Sequence, residues 1–210
     1  CVGNVTRIVC AATATDCRNR RLMLAEDSRP GQHFGPFAVR AGRINLDQAL
    51  MFRDEPLRML SIFKLALEQN ADVHPQALQR IPRGLPALGN ATRHDPAAAA
   101  EFLAILTSRR NPERILRLMN ESGVLGRFLP DFGKIVAMMQ FDMYHSYTVD
   151  EHTIQVIGIL HQLESGGLVK TAPVATSVMP EIESRRALFV AALLHDIAKG
   201  RDGDHSELGA

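Results

Sequence analysis

Residues 184–200 read SRRALFVAALLHDIAKG. Ser184 suits a helix cap, the residues after it are apolar at helical spacing, and Gly200 suits a terminator, so the spacing predicts a helix over 185–199. On that helix Leu188, Ala191, His195 and Ala198 would share one apolar stripe, turning His195 toward packed surface. Asp196 follows about 100° around the axis. An ionised carboxylate beside a buried imidazole is costly to desolvate unless something positive lies between them. A divalent cation meets that need, because it accepts neutral imidazole nitrogen and anionic oxygen together. A further ligand must then come from another helix.

The segment Thr148-Val149-Asp150-Glu151 supplies that helix. Glu three residues after Thr is the pattern of a capping box, here leading into Ile154–Leu163 and stopping at Gly166. It carries His152, which makes His152, His195 and Asp196 the candidate metal ligands. A lone His-Asp pair is common by chance, and a single histidine on an apolar face is more often packed than ligating. The surroundings weigh against chance. Five of the eight histidines, at 145, 152, 161, 195 and 205, lie in the last 66 residues among Asp150, Glu151, Asp196, Asp202, Asp204 and Glu207.

Working back toward the N-terminus, helix starts are legible. Asn111-Pro112-Glu113 opens Ile115–Met119, which Gly123 ends, and Asp95-Pro96 opens 97–106. Asp54-Glu55-Pro56 precedes an apolar face of Leu57, Leu60, Phe63 and Leu67. Pro in the first turn after a polar cap fits its fixed φ and missing N–H. Gly166–Glu183 reads as a loop between two helices, Phe37–Ile44 as the best strand, Asp16–Pro36 as a polar connection, and Val2–Thr15 as helix or strand. The expected fold class is all-α in the main, with a short strand element near the front. A junction near 141–145 would divide residues 1–143 from 144–210.

Composition sets wider bounds. The chain has 210 residues, 46 % apolar and 22 % charged, which excludes wholesale disorder. Lys and Arg number 24 against 23 Asp and Glu, a net of +1, so charge lends no support to nucleic-acid or membrane-surface binding. No apolar run approaches the roughly 18 residues of a spanning helix. Three cysteines clustered at 1, 10 and 17 make a poor disulfide framework and suit a reducing, cytoplasmic setting. A first residue of Cys, and an end shortly after a histidine-bearing stretch, are expected of a piece of a longer protein.

The combination of His152 with Leu194-His195-Asp196-Ile197-Ala198-Lys199-Gly200 resembles the HD superfamily of metal-dependent phosphohydrolases. The longer blocks Asp142–Thr153 and His195–Arg201, followed by Asp204-His205-Ser206, are similar to the uridylyl-removing part of the bifunctional uridylyltransferase/uridylyl-removing enzymes. Val5–Ala11, Asn111–Asn120 and Gly123–Val136 resemble the helical region between the two catalytic parts of that family. The resemblance implies a helical linker domain over 1–143 and the first part of an HD domain over 144–210. It implies hydrolysis of a tyrosyl–UMP phosphodiester on the signalling protein PII, a divalent metal (Mg or Mn), UTP and UMP as the nucleotides of the complete enzyme, and glutamine sensed by C-terminal domains absent here. His ligands alone would equally hold Zn, Fe or Co.

The family's final Asp ligand would lie beyond residue 210, so this chain by itself is expected to be inactive. In the complete enzyme the resemblance implies metal-assisted hydrolysis. Asp196 would orient or deprotonate the attacking water, and His205 or Lys199 would stabilise developing charge. For Lys199 and Arg201, phosphate contact and helix-dipole complementarity both remain open. An uncovered apolar face on 188–197 would favour self-association. Two further readings stand beside this one: an unrelated HD nucleotide phosphohydrolase, and a non-catalytic helical regulatory module.

Overall fold

The computed structural model describes residues 31–46, 52–139 and 147–200. They form a mainly helical fold with a small sheet at the front. The expected segment 2–15, the three cysteines, the junction near 141–145 and His205 lie outside the described residues.

The strand element is richer than a single run. Strands β1 (Gln32–Phe34), β2 (Phe37–Arg40) and β3 (Arg43–Leu46) form two successive antiparallel hairpins, and β4 (Asp72–Val73) adds to β3 in parallel. The expected strand 37–44 is therefore broken in the middle. Ala41 and Gly42 both have positive φ, 47° and 72°, the twist a two-residue hairpin turn requires. Helix α1 (Arg58–Glu68) makes the crossover from β3 to β4. It starts two residues after Pro56; of the expected face Leu60, Phe63 and Leu67 are buried, while Leu57 stands at the cap and is half-buried. The β4 pairing was unforeseen, because two residues carry no period. Its ladder rests on the Asp72 N–H donating to the Gly42 carbonyl and the His74 N–H to the Ile44 carbonyl.

Helices α2 (Pro75–Gly84), α3 (Asn90–Arg93), α4 (Pro96–Leu106), α5 (Pro112–Glu121), α6 (Val124–Phe128) and α7 (Pro130–Ile135) follow. Asp95 caps α4, its carboxylate accepting the Ala97 N–H at 2.8 Å. The chain divides into two compact units. One runs to Glu101 and includes Glu121–Val124; the other comprises Phe102–Asn120 and the chain from Leu125 on.

The second unit holds the candidate site. In its core the Phe102 and Phe128 rings meet at 5.3 Å. Gly126 and Gly133 let α6 and α7 touch backbone to backbone: a Cβ on Gly133 would lie 2.8 Å from the Gly126 carbonyl oxygen. Helix α8 (Val149–Glu164) packs against α10 (Arg185–Leu194), and α7 packs against α8 and the closing 3-10 turn Ile197–Gly200. Gly166, at φ 77°, ends α8. The Gly167 N–H reaches the Gln162 carbonyl and the Gly166 N–H the Leu163 carbonyl, the paired closure of a left-handed cap. Between the two helices, Pro173–Val178 forms a short exposed helix, α9, where a loop was expected.

Two local expectations are corrected. Thr148 occupies the cap position of α8 but makes no side-chain cap bond. Glu151, its expected partner, is engaged elsewhere. And α10 stops at Leu194, five residues early. The Nδ1 of His195 lies 2.8 Å from the Ala192 carbonyl and takes an acceptor that continuing helical N–H groups would need. Ser184 does cap α10, accepting the Ala187 N–H at 3.2 Å.

Candidate metal centre

The buried face of α10 differs from the expected one. Phe189, Leu193 and Asp196 are buried, at the i, i+4, i+7 spacing of one helix face, while Ala191 and His195 are exposed. Of the predicted stripe Ala198 is buried and Leu188 half-buried, so the expectation fails at Ala191 and His195. The carboxylate, not the imidazole, is the buried member of the pair. The Asp196 side chain is 11 % exposed, against 38 % for His195 and 42 % for His152.

The three predicted ligands nonetheless converge. One donor atom from each of His152, His195 and Asp196 lies within 4.8 Å of the other two. Asp196 Oδ2 is 3.4 Å from His195 Nε2 and 3.9 Å from His152 Nε2, and the two rings meet edge to face at 5.6 Å. Because the Ala192 carbonyl can only accept, His195 Nδ1 is the nitrogen that donates to it, which leaves Nε2, 3.4 Å from Asp196 Oδ2, as the atom able to face an ion. Donors about 2.1 Å from a common ion lie roughly 3–4.2 Å apart. The two imidazole–carboxylate distances fall inside that range. The mixed nitrogen and oxygen donors fit a divalent cation without selecting which one.

Lys199 pairs with the buried carboxylate. Its Nζ lies 2.8 Å from Asp196 Oδ2. Asp196 and Lys199 are three apart across the 3-10 turn, a tighter spiral whose i and i+3 side chains eclipse.

Sequence reasoning missed the polar structure behind His152. Asp150, buried to 1 % exposure, accepts from Asn120 Nδ2 at 2.7 Å and from the Ala137 N–H at 3.2 Å. Arg117 bridges Glu113, at 2.7 Å, and Glu151. The available signal was the spacing of 113, 117 and 120 on α5, one helical face carrying polar side chains on a helix whose other face is buried. Farther along α8, Arg185 grips Glu164 through two nitrogens, donates to the Thr107 carbonyl and lies over the Phe189 ring at 4.4 Å. That guanidinium holds the Glu164 carboxyl below its ordinary range. His161 accepts the Asn111 N–H on Nε2 and is no part of the centre.

A helical scaffold that brings a histidine from one helix to a His-Asp pair ending another defines an HD-type metal-site protein. Residues 149–210 match the HD domain family, and residues 37–128 match the uridylyltransferase GlnD third domain. Over its whole length the chain is similar to bifunctional uridylyltransferase/uridylyl-removing enzymes. It is 50 % identical to that of Azospirillum brasilense, 47 % to that of Rhodospirillum rubrum and 45 % to that of Novosphingobium aromaticivorans. The chain belongs to that family. It spans 22–23 % of the length of those relatives. Among the described residues, no helix is long and apolar enough to cross a membrane.

Proposed function

We propose that this chain carries the first part of a uridylyl-removing site, which in the complete enzyme hydrolyses the tyrosyl–UMP phosphodiester of modified PII in the cytoplasm. In this reading residues 1–143 are the helical region between catalytic parts and residues 144–210 begin the HD domain. The observation that carries it is the convergence of His152, His195 and Asp196 within 4.8 Å. Similarity along the whole chain to the bifunctional enzymes favours this substrate over that of an unrelated nucleotide phosphohydrolase.

His152, His195 and Asp196 would hold Mg or Mn. Bound there, the cation supplies Lewis acidity, lowering the pKa of water and withdrawing charge from a phosphoryl oxygen. The protein's own part is orientation. The Ala192 carbonyl fixes the His195 tautomer, and the buried Asp196 carboxylate orients the attacking water and takes its proton. Lys199, held against Asp196, is proposed to stabilise charge that develops on the phosphoryl oxygens. His205 is proposed as a second group stabilising developing charge.

The test is release of UMP from uridylylated PII by the complete enzyme, measured with Mg²⁺ or Mn²⁺ and after chelation. Asp196→Ala should abolish release, and His152→Ala should do so unless the metal is raised far above its normal requirement. Full phosphodiesterase activity in Asp196→Ala would overturn the assignment.

A further inference from the structure

The first turn of α8, which carries His152, is not secured in the usual way. Thr148 gives no side-chain cap. Side chains of α5 secure the turn instead. Glu113, Arg117 and Asn120 occupy one face of α5 at i, i+4 and i+7. They meet α8 in reverse order: Glu113 lies against Gly158, Arg117 binds Glu151, and Asn120 binds Asp150. The two helices thus run antiparallel along this face, with polar bonds at the end near His152 and the Glu113 carboxylate packed against Gly158 at the other. A Cβ on Gly158 would overlap the Glu113 carboxylate, so the glycine is what admits it.

The contact between Asn120 and Asp150 is the most costly to build. Asp150 is 1 % exposed and Asn120 6 %. A buried carboxylate is tolerated only when its oxygens are bonded, and here the Asn120 amide takes one and the Ala137 N–H the other. The first turn of a helix also favours negative charge. Both anchored residues, Asp150 and Glu151, directly precede His152 or stand two before it. Fixing them fixes the direction of the His152 Cα–Cβ bond. Metal sites depend on such supporting shells at the level of about half an ångström.

Building on the metal reading above, we propose that Asn120 and Arg117 are positioning residues of the metal centre. Helix α5 lies in the part of the chain that matches the third-domain family, 37–128, while the ligands lie in the part that matches the HD domain, 149–210. The metal site is therefore completed by a helix from outside the HD match. A segment beginning at residue 149 would carry all three ligands and lack the support of the first.

The experiment is Mn²⁺ titration of this 210-residue chain, followed by electron paramagnetic resonance, with circular dichroism and thermal melting on each variant. Asn120→Leu and Arg117→Met should each weaken Mn²⁺ binding, by about tenfold or more for Asn120→Leu. The exchanged pair Asn120→Asp with Asp150→Asn keeps the hydrogen bond with its donor reversed and should restore affinity to within about threefold. Ser61→Ala, in the other unit, is the control that loses a hydrogen bond without touching the centre and should bind as wild type does. A folded Asn120→Leu that binds Mn²⁺ as the wild type does would overturn the proposal. If Asn120→Leu does not fold, Arg117→Met, at a half-buried position, decides by the same criterion. Wild-type chain that binds no Mn²⁺ dependent on His152 defeats the metal reading itself, and the positioning role with it.

Discussion

Replacing Lys199 by Met removes one charge and keeps most of the side chain's volume. In the structure the Lys199 ammonium lies 2.8 Å from Asp196 Oδ2, with the two side chains 18 % and 11 % exposed. An exposed ion pair contributes about 0–1 kcal/mol, and removing one partner of a fully buried pair costs about 3–5 kcal/mol. This pair lies between, so the metal-free variant should lose roughly 2 kcal/mol, or about 4–8 °C in Tm for a chain of this size. The effect on metal binding has the opposite sign. An ion about 2.1 Å from Asp196 Oδ2 would sit within about 5 Å of the ammonium. Even with the screening of bulk water, repulsion between charges of +2 and +1 at that distance is about 1.7 kcal/mol. Lys199→Met should therefore bind Mn²⁺ about tenfold more tightly. The assay is thermal melting in chelator and in graded Mn²⁺, with binding titrations alongside. The variant should melt lower without metal and gain more from Mn²⁺ than the wild type gains. A variant that melts lower and gains less would show that Lys199 supports the ion rather than competing with it, and the reasoning would fail.

Further perturbations test other parts of the argument. Glu164 has a depressed folded-state pKa because of Arg185, so its contribution is present above the ordinary carboxyl range and fades as pH falls through the folded value. Glu164→Gln should thus cost about 1 kcal/mol at neutral pH and progressively less in acid, read as converging melting curves. Gly133→Ala places a Cβ against the Gly126 backbone, and overpacking of about 1–3 kcal/mol should outweigh the gain of up to about 1 kcal/mol in helix propensity; an unchanged or raised Tm would contradict that packing. Thr148→Ala should change stability by less than about 0.5 kcal/mol, against about 1 kcal/mol for Ser184→Ala, because only Ser184 makes a side-chain cap bond. Equal losses in denaturant titrations would restore the capping box that the geometry rejects.

Local chemistry was readable along the chain. Asp95 before Pro96, Ser184 before Arg185 and Gly166 after Glu164 act within a few residues of themselves, so the helix ends they set follow from neighbours in sequence. The ligand trio was readable for a related reason. His195 and Asp196 are adjacent, and His152 sits on a helix whose start and stop both announce themselves. Where the reading failed locally, side chain and backbone competed for one partner. Nothing in the pattern of 185–199 says that the His195 ring will take the Ala192 carbonyl and end the helix early.

Spacing along the chain was enough for the helical class, for the limits of helices such as α4 and α5, and for naming three side chains that converge, since these depend on period and on the donor and acceptor groups each residue carries. Folding in three dimensions settled that the carboxylate rather than the imidazole is buried, and that α5 side chains bind Asp150 and Glu151 just before His152. Those outcomes join residues as far apart as Asn120 and Asp150. A buried charge chooses its partner by what folding brings within about 3 Å, and separation along the chain does not encode that distance.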